Sequence, residues 1–217
     1  MFVALNRLFF AAVLLATITF SRDSLAQTRD ETWGGVTTAT AVTAAVTSLL
    51  MPRVFYSSPE ATVGWRARWH VSVLAPTMTQ MSLALLNEVA LKDALEKPRP
   101  GCDATGPGLA DCETYALFST HSYVAGASLG QGISVFLLDT LKHSGGRFHF
   151  GSFAGHVISP LLLGGVTVGG RAAGNYENFG QSLASAGIGL GTGLLIGLLY
   201  GSMQNPECGY SGSLICW

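Results

Sequence analysis

Five long stretches with hardly a charge among them decide what this chain can fold into: Gly35 to Met51, Val71 to Leu91, Ser122 to Leu141, Ser152 to Gly169 and Ser182 to Tyr200. Each comes close to the roughly 20 residues that a helix needs to cross a bilayer. Inside hydrocarbon a single segment can satisfy its main-chain N–H and C=O groups only as a helix. Charged residues are 12% of the 217, against about 25% in soluble domains, so little of the surface is built to face water. The expectation is an all-α bundle of about five to six apolar helices embedded in a membrane. The 27 glycines raise the alternative of an outer-membrane barrel, but barrel strands alternate in short runs and these runs are continuous. The formal net charge of -1 lacks the basic footprint of nucleic-acid binders, so no nucleic acid is expected as a partner. The length suits one domain.

The first residues have a different character. Arg7 precedes an apolar run from Leu8 to Phe20, followed by a polar step and Ser24-Leu25-Ala26 before Gln27. A charged start, a short apolar core and a small-x-small site describe an export signal, expected over residues 1–26 and cut after Ala26. The run is too short to span comfortably, although a retained first membrane helix is the alternative. Residues 27–217 then form the single helical domain.

Chemistry concentrates between the second and third apolar segments. Lys92 is followed seven positions on by Arg99 within Arg99-Pro100, and Phe118-Ser119-Thr120-His121 stands at the head of the third segment. Lysine brings a compact charge and arginine a planar fork of donors that matches phosphate oxygens. Histidine titrates near neutrality and can hand over a proton. The competing reading of Lys92 is local, because Glu88 lies one helical turn earlier and can pair with it at i, i+4. Pro98 and Pro100 can also do no more than end a helix.

Lysine, six residues, Arg-Pro, then Ser-x-His at the head of an apolar segment and an arginine, Arg171, some fifty residues on: this order resembles the type 2 phosphatidic acid phosphatase superfamily, which includes bacterial acid phosphatases and vanadium haloperoxidases. The likeness covers roughly Val71 to Tyr200. The first motif fits fully, the second is half present, and the third keeps Arg171 while Glu177 and Gln181 stand where the family has histidine and aspartate. In that family the histidine of the third motif attacks phosphorus and the aspartate orients it. The resemblance therefore implies a phosphate cradle of Lys92, Arg99, Ser119 and Arg171, with His121 as general acid and Glu177 at the nucleophile's position. A carboxylate facing a phosphate is a poor substitute for histidine. Two readings follow: an impaired hydrolase of phosphomonoesters or diphosphates, small or lipid-borne, or a non-catalytic membrane protein that binds phosphorylated ligands. No metal or other cofactor is expected.

Basic residues orient the bundle. If the mature start is outside, the stretches with Arg53, Arg66 and Arg68 and with Lys142 and Arg147 fall on the cytoplasmic side, as the positive-inside rule requires. Lys92, Arg99, His121 and Arg171 then gather on the other face, which for a bacterial-type inner membrane is the periplasmic one. Cys102 and Cys112 enclose a short Gly/Pro/Asp-rich loop and read as a disulfide in an exported protein. Cys208 and Cys216 fit this orientation less well, which keeps open a soluble periplasmic or secreted helical domain with both pairs oxidised. His156, alone in an apolar segment, is expected to be a packed, hydrogen-bonded residue and not a catalyst.

Overall fold

The computed structural model describes residues 31–56, 64–70, 73–95, 118–203 and 215–216. The expected signal peptide, Arg99, Cys102, Cys112 and Cys208 lie outside them, and so does the side chain of Cys216. The described chain is mostly helical. Helix α1 spans Glu31–Leu50 and α2 spans Leu74–Leu86. A π-helical turn, Asn87–Leu91, continues α2 into the short α3, Lys92–Leu95. Helix α4, Thr120–Leu138, runs on through a second π turn, Asp139–His143. The short α5, Phe150–Phe153, leads through a third π turn, Ala154–Ile158, into α6, Ser159–Ala173. Helix α7 spans Phe179–Ser202. Three of these continuous helices, Thr120–His143, Phe150–Ala173 and Phe179–Ser202, are long and apolar enough to cross a membrane.

The chain runs up and down between two ends. At one, the start of α1 meets the α6–α7 turn and the head of α4, because Thr38 reaches His121 and Gly34 lies against Tyr176. At the other, the residues after α1 meet the π turns that follow α4 and α5. There Arg53 is hydrogen-bonded to Asp139, and His156 Nε2 lies 3.1 Å from the Pro52 carbonyl oxygen, a packed histidine as expected.

Helices α4 and α7 approach so closely that their main chains touch. A Cβ placed on Gly126 would collide with the main chain of Ala186, and one on Gly130 with that of Leu190. In return, Gly189 faces the main chain of Tyr123 and Gly193 that of Ala127. Small residues four apart allow such close contact between helices. The glycines of α7, which look irregular along the sequence, sort by face: Gly189, Gly193, Gly197 and Gly201 are buried, whereas Gly187 and Gly191 have open space around them. Ser134 ties the same pair of helices, donating from Oγ to the Leu194 carbonyl oxygen at 2.8 Å.

A small sheet, absent from the all-helical expectation, closes the far end. Strand β1, Arg53–Tyr56, pairs antiparallel with β2, Trp65–His70, in the register Arg53 to Arg68 and Tyr56 to Trp65. Strand β2 pairs in parallel with β3, Ile215–Cys216. The side chain of Arg53, read from the sequence as a loop cation, is 2% exposed and bridges Asp139, itself 1% exposed. Its Nε donates to both carboxylate oxygens, at 2.9 and 3.2 Å. A charge in this position needs such a partner, because leaving it unpaired would be costly.

Candidate functional site

The turn between α6 and α7 sets Glu177. Helix α6 ends where Gly174 N–H returns to the Gly170 carbonyl at 2.9 Å and Tyr176 N–H to that of Arg171 at 3.0 Å. Asn175 takes a left-handed conformation with φ 57, which asparagine tolerates better than most residues. The reversal brings Glu177 back over Arg171, six positions earlier. Arg171 Nη2 and Nε both donate to Glu177 Oε1, at 2.8 and 3.3 Å, and the guanidinium lies 4.5 Å from the centre of the Tyr176 ring. Both partners of this ion pair are buried.

Glu177 has further donors. Ser182, in the first turn of α7, donates from Oγ to Oε2 at 2.8 Å, and the Ser119 hydroxyl is hydrogen-bonded to the same carboxylate. Ser119 is the N-cap of α4, its Oγ accepting from Ser122 N–H at 3.1 Å, and its own N–H donates to Ser185 Oγ at 2.8 Å. The carboxylate thus lies beside the starts of α4 and α7, where a negative charge is favoured. Burial pushes its pKa up, but the Arg171 charge and the bonds from Arg171, Ser119 and Ser182 outweigh that and hold it below the ordinary 4.5.

Lys92 makes the local pair. Its Nζ lies 2.5 Å from Glu88 Oε2, and the same oxygen accepts from the Thr120 hydroxyl beside His121. Asn87 Nδ2 donates to Thr120 Oγ1 at 2.9 Å, which joins the end of α2 to the head of α4. His121 Nε2 is 3.0 Å from Thr38 Oγ1 and feels the charges of Arg171, Glu177, Glu88 and Lys92.

Of the residues expected at the site, Ser119, Arg171 and Glu177 are therefore in direct contact, with His121 and Lys92 close enough to interact by charge. Arg99 lies outside the described residues. Sequence reasoning missed Glu88 as a bridge to α4, along with Thr38, Thr120, Ser182 and Ser185. Only Glu88 carried a signal, its spacing from Lys92. Among the described residues no three His, Cys, Asp or Glu side chains are grouped to hold a metal ion.

The arrangement constrains the chemistry. Each described cation of the cradle already has a carboxylate: Glu88 for Lys92 and Glu177 for Arg171. Glu177 is also ill suited to attack. One of its oxygens holds the arginine fork, the other a serine hydroxyl, and its depressed pKa marks a weak base. Comparison with family models, with curated proteins and with solved structures finds no match to this chain. What fold and site define by themselves is a mostly helical bundle, three of whose helices are fit to span a membrane, with a self-neutralised cluster of two cations, two carboxylates and a histidine at one end.

Proposed function

We propose that this chain is a membrane-embedded, phosphatase-like protein of impaired catalysis, which receives a phosphorylated small molecule or lipid at the end of the bundle that carries His121. In a bacterial-type inner membrane that end faces the periplasm. One observation carries the reading: the carboxylate at the position where the resembling family has its nucleophile is bonded to Arg171, Ser119 and Ser182, the same donors that would otherwise hold phosphoryl oxygens. A phosphate has to displace Glu177 to reach the Arg171 fork, and on arrival it meets no free nucleophile. Arginine, serine hydroxyls and two helix starts suit an oxyanion, so recognition survives better than turnover.

The test is release of phosphate from a lipid phosphate by the purified protein in bilayers. Turnover is expected to be lower than an ordinary enzyme's by on the order of 10⁶, as when a hydrolase loses its nucleophile. The double change Glu177→His plus Gln181→Asp is expected to raise it, and His121→Ala in that background to remove most of the gain. Turnover by the unmodified protein near an ordinary enzyme's 10 s⁻¹ or so would overturn the reading.

A further inference from the structure

We infer that a single water molecule is held between α1, α2 and α4, bound to the side-chain amide of Gln80. The amide is 5% exposed. Its Oε1 accepts from Tyr123 Oη at 2.9 Å and lies 3.5 Å from Thr192 Oγ1, but its Nε2 has no acceptor among the described residues. Turning the amide over would only exchange the two atoms and leave the oxygen without a donor. A buried polar group in this position calls for a partner.

The space for that partner is present. Gln80 lines a cavity of about 10 Å³ together with Ser48 of α1, Thr77 of α2, and Ser128 and Gln131 of α4. A volume near 10–15 Å³ admits one water and little else, provided two to four polar groups meet it. Ser48 Oγ donates to the Ser128 carbonyl oxygen at 3.1 Å, and Ser128 Oγ to that of Val124 at 2.9 Å. Each hydroxyl keeps lone pairs with which to accept. Water can therefore take the Gln80 N–H and donate to both serines. No carboxylate lines the cavity, so a cation there would lie uncompensated, and an apolar ligand would leave the amide unsatisfied.

This water also bears on the site. Gln80 lies on the continuous helix that ends in Glu88 and Lys92, and much of that helix is turned outward, with Met78, Leu83, Leu85, Leu86 and Val89 exposed. Its hold on α1 and α4 through the cavity helps to seat that helix against the bundle.

The decisive measurement is a structure of the full chain in lipid nanodiscs at about 2 Å, where ordered water is seen. The expected result is density within hydrogen-bonding distance of the Gln80 amide and of Ser48 or Ser128 Oγ, and a dry cavity would overturn the inference.

Discussion

In the proposed reading, Glu177 closes the site to its own ligand class. Its Oε1 occupies the Arg171 fork where a phosphate oxygen would sit, and it is tethered, so a free anion must compete with a partner that is always at hand. Glu177→Ala leaves a buried guanidinium without its counter-charge, and breaking a buried pair in this way costs on the order of 3–5 kcal/mol. The expected outcome is a correspondingly lower stability to denaturant, partly restored by formate or phosphate in the buffer. The pH dependence follows from the lowered pKa. A carboxyl group held below its unfolded value stabilises the fold fully above about pH 4.5, and that contribution is lost as pH falls through the lower, folded value. The gap in melting temperature between the unmodified protein and Glu177→Gln should thus be constant from pH 7 to about 5 and narrow below pH 4.5. A gap that widens on acidification would contradict the pairing.

At this scale the sequence was legible where spacing alone brings groups together. Glu88 and Lys92, four apart, meet as helix geometry requires. Arg171 and Glu177 are six apart and meet only because Asn175 reverses the chain, a turn that no apolar period announces. Arg53 and Asp139 have no local relation at all. A single aspartate near the end of a long apolar segment is a sign that some cation is buried with it, yet nothing along the chain says which.

Among the elements, the contact between α4 and α7 depends most sharply on composition. Because the two main chains touch, any side chain at Gly126 or Gly193 must push the helices apart. Gly193→Val should destabilise by at least the 1–3 kcal/mol typical of overpacking. Gly187→Ala and Gly191→Ala, on the open face of the same helix, should be neutral or gain up to about 1 kcal/mol from helix propensity. Thermal unfolding in detergent compares all three. Equal losses at Gly187 and Gly193 would mean that the open face is packed after all. The helices themselves followed from apolar length, but the π turns did not. All three turns bury a polar side chain, Asn87, Asp139 and His156, and the wider turn shifts the helix face by one residue where that group has to point inward. The strands were hidden for a different reason: β1 and β2 are only four and six residues long and rich in arginine, so they read as a polar connection.

For the whole molecule, the proposed membrane reading turns on which end faces which side. Lys92 with Glu88 and Arg171 with Glu177 stand at one end beside His121, their charges cancelling in pairs. The other end carries Arg53, Arg66, Lys142 and Arg147, with Arg53 bonded to Asp139, and Arg147 lies 3.9 Å from the centre of the Tyr56 ring. Removing Arg53 from the count lowers the excess of positive charge at this end but does not reverse it. Phe148 and Phe150 are exposed there, next to the cations. This end should therefore be cytoplasmic in the proposed orientation. Cysteines placed at Phe148 and at Asn178, which are exposed at opposite ends, test it with a membrane-impermeant thiol reagent, the labelled peptide being identified by mass spectrometry. Asn178→Cys should react in intact cells stripped of their outer membrane, and Phe148→Cys only after the inner membrane is opened. The reverse pattern would put the cluster around His121 in the cytoplasm, out of reach of a periplasmic or outer-leaflet phosphate, and the proposed function would have to be abandoned together with the orientation.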